Sequence, residues 1–117
     1  MSLPPHSAAQ SSQSNPKLPP PAISTETAAR LLAFRDARRW APKHNPKDLA
    51  ASIVIEAAEL LEVFQWSGDD LECRDKHEQM EDELADVFAY ALLLADRIGA
   101  SPDQILLKKL EKLEKKY

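Results

Sequence analysis

In the stretch Ser52–Trp66 (SIVIEAAELLEVFQW), a glutamate stands where a helix would bury hydrocarbon. A helical advance of roughly 100° per residue places Leu49, Ile53, Leu60, Val63 and Phe64 within roughly 80° of Glu56, on either side. Glu59 falls roughly 60° away, inside the same apolar arc. A carboxylate on a buried face must find a partner, take up a proton, or lose several kcal/mol on leaving water. A second pair, Glu83 and Asp86, repeats the arrangement among Met80, Val87, Tyr90 and Leu94. Both pairs are spaced i, i+3, so each projects from one helix face. Any fold of this chain has to accommodate four inward carboxylates that no inward cation matches.

The remainder reads as helices joined by short connections. Residues 1–22 are rich in Pro, Ser and Gln, and too poor in large apolar residues to offset their ordering entropy. A disordered tail followed by one domain over 23–117 is expected, in keeping with 117 residues in all. Ser24 or Thr25 caps a first helix running to about Trp40, with Leu31, Leu32, Phe34, Ala37 and Trp40 as candidate buried positions and Pro42 as the stop. Asn45 caps the second helix, with Pro46 at its first position and Asp48 in its first turn. That helix continues to about Trp66 and ends near Gly68.

A third helix starts between Asp70 and Lys76 and stops at Gly99. It is apolar on opposite sides, Val87, Tyr90 and Leu94 on one and Leu84, Phe88 and Leu92 on the other. So small a chain can hardly cover both, which points to a second subunit. Ser101-Pro102-Asp103-Gln104 opens a last helix with Leu106, Leu110, Leu113 and Tyr117 as its stripe. No strand alternation and no long repeat occurs. The expected fold class is all-α, a bundle of four main helices completed by oligomerisation.

Composition excludes several function classes. A net charge of −4 gives no electrostatic reason to bind a nucleic acid polymer. No apolar run approaches the roughly 20 residues that span a bilayer, and no signal-peptide pattern opens the chain, so a cytoplasmic protein without a membrane partner is expected. The lone cysteine, Cys73, permits no intrachain disulfide.

Two carboxylate-bearing helices packed face to face bring four negative charges to one centre. At roughly 4 Å and an effective dielectric near 20, each like-charge contact costs on the order of 4 kcal/mol, so protons or cations must intervene. All-oxygen ligation favours Mg²⁺ or Mn²⁺ over zinc, and Mg²⁺ usually shares its shell with a substrate phosphate. A di-iron bundle would need two Glu-x-x-His elements, which are absent, and His77 lies outside both pairs. The plain alternative is acids on a helix surface paired with Lys or Arg; two pairs on apolar faces favour the metal.

The ordered set Phe34-Arg35-Asp36-Ala37-Arg38-Arg39-Trp40, His44-Asn45-Pro46-Lys47-Asp48-Leu49, Glu56 through Trp66, and Glu83-Leu84-Ala85-Asp86-Val87 resembles the MazG-like nucleotide pyrophosphohydrolases, most of all their dCTP pyrophosphatase branch. The likeness runs from about residue 28 to Tyr117. It implies a MazG-like helical bundle assembled as a homotetramer, a dimer of dimers. It also implies Mg²⁺-dependent hydrolysis of a nucleoside triphosphate, dCTP or a modified dCTP, to the monophosphate and pyrophosphate. By the same likeness Glu56, Glu59, Glu83 and Asp86 are the metal ligands and catalytic centre, with more than one Mg²⁺ expected and Mn²⁺ possible. Trp40, His44, Trp66 and Tyr90 match positions that contact substrate, and Lys109 matches a basic position. Lys47 or Lys109 would stabilise the leaving pyrophosphate.

Three positions depart from the family pattern: Leu113 replaces an Asn, Leu31 a His of the eukaryotic branch, and Ala58 a Gly. They bear on base preference and turnover. The competing expectations are a non-enzymatic helical module that binds nucleotide or protein, and a pyrophosphohydrolase for another non-canonical triphosphate.

Overall fold

Side chains flanking the helices close most of their first turns. In the computed structural model, which describes residues 22–117, helix α1 spans Thr25–Ala37 and Ser24 Oγ accepts the Thr27 N–H at 3.0 Å. Helix α2 spans Pro46–Glu62. Asn45 Oδ1 accepts the Asp48 N–H at 2.9 Å, while Asn45 Nδ2 donates to the Asp48 carboxylate at 2.8 Å. Helix α3, His77–Arg97, has no side-chain cap and follows a 3-10 turn at Arg74–Lys76. Helix α4 spans Pro102–Lys116, with Ser101 Oγ accepting the Gln104 N–H at 3.3 Å. The described residues contain no strand, as an all-α fold requires. Except for Ala22, the expected tail lies outside the described residues.

The first helix ends at Ala37, earlier than the expected Trp40, and the cause is local. Arg39 takes a left-handed conformation, φ 56°. Its N–H reaches the Asp36 carbonyl at 3.0 Å, and the Trp40 N–H reaches the Arg35 carbonyl at 3.2 Å. This paired arrangement closes a helix C-terminus and turns the chain sharply. Trp40 is thereby folded back onto Phe34, ring centroids 5.6 Å apart, edge to face. Pro42 then falls inside a separate 3-10 turn, Ala41–Lys43. The same closure ends α3 at Gly99, φ 71°, where the Ala100 N–H bonds the Ala95 carbonyl at 2.8 Å. Past Glu62 the second helix tightens, with the N–H groups of Val63, Phe64 and Gln65 bonding carbonyls three residues back.

Packing is uneven. α2 and α3 lie against one another extensively, α1 touches α3 over a small area, and α4 makes no extensive contact with any of them. The buried apolar residues are Leu49, Val63, Cys73, Leu93 and Ala95. The Cys73 thiol donates to the carbonyls of Val63 and Asp70 at 4.0 and 3.8 Å, and Asp70 Oδ1 accepts the Cys73 N–H at 3.1 Å. These bonds bind the end of α2 to the start of α3.

No residue of α1 is fully buried; Ala28, Leu31, Leu32 and Arg35 are half-buried, at i, i+3, i+4 and i+7. Phe34, Ala37 and Trp40, expected inside, are exposed, because the turn at Arg39 sends Trp40 to the rim. On α3, Val87, Tyr90 and Leu94 are half-buried while Leu84 and Phe88 stay open to solvent. No described helix is long and apolar enough to cross a membrane.

Candidate functional site

The contact between α2 and α3 brings the two acidic pairs together. One carboxylate oxygen each from Glu56, Glu59, Glu83 and Asp86 lies within 4.8 Å of all the others. Glu56, Glu59 and Glu83 are half-buried and Asp86 is open to solvent. The Oε2 atoms of Glu56 and Glu83 are buried with no hydrogen-bond partner. Among the described residues, the ion pairs both belong to Arg35, with Asp36 and Asp96, so no lysine or arginine neutralises the cluster. Desolvation first, and then the adjoining Glu59 carboxylate, raises the proton affinity of Glu56 above its ordinary value. Glu83 is raised in the same way, by desolvation and then by Glu59 and Asp86.

Hard divalent cations fit these donors. All four are carboxylates, orphaned oxygens point into the cluster, and each added positive charge relieves repulsion that nothing else relieves. Ligands of a single Mg²⁺ with bonds near 2.1 Å stand at most about 4.2 Å apart. A 4.8 Å spread therefore suits ions that also keep waters or substrate oxygens, better than one closed protein cage.

Beside the cluster opens a cavity of about 230 Å³, lined from α1 and its following turn by Leu31, Phe34, Arg35, Trp40 and His44. Its opposite wall is Asp86, Ala89, Tyr90 and Leu93 of α3. Asp86 thus belongs to both the cavity and the carboxylate cluster. Trp40 packs at 6.1 Å from the His44 ring, and His44 Nδ1 is buried without a partner. The Arg38 guanidinium covers the Phe34 ring at 3.4 Å. A wider, open depression is lined by Glu78, Gln79, Glu81, Asp82 and Ala85 of α3 alone and has no second wall.

Of the residues singled out in the sequence, Trp40, His44 and Tyr90 line the cavity together with Asp86. Lys47, Trp66 and Lys109 do not line it; all three are exposed, Trp66 at 86 %. Sequence reasoning overlooked Arg35, although a helical wheel carries the signal. Arg35 continues the 28, 31, 32 stripe, so a charged group sits on the inner face of α1.

Comparison with known proteins gives these positions a context. The chain is 30 % identical over 103 residues to dCTP pyrophosphatase 1 of Mus musculus, covering 83 % of this chain and 61 % of the relative. It is 32 % identical to that of Bos taurus, covering 79 % and 58 %. It therefore spans about 60 % of the length of the curated relatives it matches. A crystal structure of a pyrophosphatase from Archaeoglobus fulgidus superposes with a TM-score of 0.72 at 44 % identity, covering 79 % of this chain and 89 % of that one. The MazG-like family model matches residues 51–117, a span that contains both carboxylate pairs and the helices presenting them. The chain belongs to the MazG-like family.

Proposed function

We propose that the chain is a metal-dependent nucleoside triphosphate pyrophosphohydrolase, acting on dCTP or a modified dCTP and releasing the monophosphate and pyrophosphate. One observation carries this reading: Asp86 joins an unpaired cluster of four carboxylates to a small aromatic cavity. At about 230 Å³ the cavity lies below the roughly 300–1,000 Å³ of drug-sized pockets, so it suits one base rather than a whole nucleotide. A base seated there leaves its phosphates at the carboxylate end.

Glu56, Glu59, Glu83 and Asp86 would hold Mg²⁺. When bound, the metal neutralises phosphate charge, orients the attacking water and lowers its pKa. In the reaction, the water oxygen bonds to the α-phosphorus and the bond from that phosphorus to the bridging oxygen breaks. Pyrophosphate leaves with the electron pair. Trp40 and Tyr90 offer faces and edges to the base, and His44 Nδ1 offers a hydrogen bond that no protein group uses. Leu31 makes part of the cavity wall apolar, which favours a base with few polar groups on that side.

Lys47 and Lys109 are assigned to the pyrophosphate and Trp66 to stacking. A homotetramer would supply those three from neighbouring copies where one copy does not present them. Leu84 and Phe88 on α3, with Ile105, Leu106 and Leu107 on α4, leave apolar surface for such copies to cover.

The test is a panel of canonical and modified nucleoside triphosphates incubated with Mg²⁺ or Mn²⁺, with products separated and identified. Monophosphate and pyrophosphate from a dCTP-type substrate are expected. Diphosphate with inorganic phosphate, or no turnover of any nucleotide, would sink the proposal. A preference for another base would keep the chemistry and change the substrate. Light scattering on the eluting protein reads the assembly.

A further inference from the structure

α1 supplies one wall of the cavity yet is held to α3 by little apolar contact, and none of its side chains is fully buried. Its most specific tie to α3 is ionic. Arg35 Nη1 donates to Asp96 Oδ2 at 2.7 Å, and Arg35 Nε donates to Asp36 Oδ1 at 2.9 Å. The guanidinium is planar, so Asp36 fixes its rotation and aims its far nitrogen across the gap. Only 12 % of the Arg35 side chain is exposed, against 43 % for Asp96. The backbone of Arg35 contributes as well, since its carbonyl accepts the N–H groups of Arg38 and Trp40, both at 3.2 Å. One residue therefore grips α3 with its side chain and closes, with its carbonyl, the turn that carries Trp40. The carboxylate cluster stands on α2 and α3 and shares no hydrogen bond with this pair.

We propose that Arg35 and Asp96 are a positioning pair that holds the aromatic wall of the cavity against α3, and so set how tightly the base is gripped while taking no part in hydrolysis. The inference rests on the proposed nucleotide chemistry for its kinetic readout and on geometry alone for its spectroscopic one. A charge-assisted hydrogen bond that is partly solvated sets the scale. Losing it raises KM by about threefold to tenfold and leaves kcat within about twofold.

The experiment uses Asp96→Asn, Arg35→Gln, the two combined, and the exchange Arg35→Glu with Asp96→Arg, each assayed on the best substrate from the nucleotide panel. Quenching of Trp40 fluorescence by acrylamide is measured on the same set in a Trp66→Phe background, which leaves Trp40 as the sole tryptophan. Each single change should raise KM and expose Trp40 to quencher. The combined change should do no more than the worse single one, and the exchange should recover part of both losses.

A rise in KM for Arg35→Gln that Asp96→Asn does not share would mean that Arg35 touches substrate directly, and would overturn the proposal. So would a fall in kcat at constant KM, or Trp40 quenching that no variant alters. If no nucleotide is hydrolysed, the functional reading fails, while the quenching series still decides the role of the pair.

Discussion

α3 makes two very different seams. Against α2 it forms a broad one, between helices of 21 and 17 residues, enclosing four carboxylates. Against the 13-residue α1 it forms a narrow one, with half-buried side chains, an arginine and an aspartate across the gap. The broad seam carries groups that repel one another and must be held to within an ångström or so of their working geometry. It can do so because apolar burial around them, worth about 1.5–3 kcal/mol for each large side chain, outweighs the electrostatic strain. The narrow seam carries recognition, where a small displacement weakens binding without disabling the reaction. Chemistry sits on the stiffer contact and base recognition on the lighter one.

The largest expected effect tests whether the broad seam trades stability for chemistry. Glu59→Gln should lower hydrolysis by about 10²- to 10³-fold, as removal of a charged group from a reaction centre commonly does. The metal-free protein should unfold no earlier than wild type, because one repelling charge is gone. A variant that loses activity and melts earlier would make Glu59 a structural group.

Next in size, Leu49→Ala removes a side chain only 2 % exposed on the carboxylate face of α2 and should cost about 3 kcal/mol in chemical denaturation. The matching change on the narrow seam, Leu32→Ala at a half-buried position, should cost about 1 kcal/mol. Equal losses would erase the distinction between the seams.

The pH dependence sharpens the comparison further. Glu56 and Glu83 hold protons more tightly in the folded protein than in the unfolded chain, whose carboxyls titrate near 4.5. Between that value and the raised ones the folded state binds more protons, so stability falls as pH rises through the raised values and recovers as pH is lowered. Thermal unfolding in EDTA should therefore show stability increasing as pH is brought down from neutral toward the ordinary carboxylate range. Mg²⁺ needs the carboxylates ionised, so its stabilisation should grow in the opposite direction, with rising pH. A metal-free melting temperature indifferent to pH would show that the cluster is not strained.

The smallest effect concerns the turn that carries Trp40. Arg39→Gly relieves a left-handed residue but frees the unfolded chain, so it should shift stability by less than about 1 kcal/mol.

How much of this was legible in the sequence depended on the range of the interactions involved. The caps at Ser24, Asn45 and Ser101 are encoded within four residues of the bonds they make, and they stand where their side chains imply. Glu56, Glu59, Glu83 and Asp86 could be read as inward because helical spacing fixes which face a residue occupies. The end of α1 could not, since a left-handed arginine is a choice that propensity disfavours. The same turn moved Phe34, Ala37 and Trp40 from expected core to rim. Arg35 was visible as a charge on an apolar stripe, but its partner stands 61 positions away.

The sequence by itself determined an all-helical chain, where its helices begin, and that two of them carry paired acids on their inner faces. Those features follow from capping chemistry and a period of 3.6, which act within a few residues. Only the tertiary structure decided that the two acidic pairs meet, that Asp86 also walls an aromatic cavity, and that an arginine on α1 reaches across to α3. Such outcomes depend on how whole helices dock, and docking is set by the sum of many weak contacts between segments far apart in the chain.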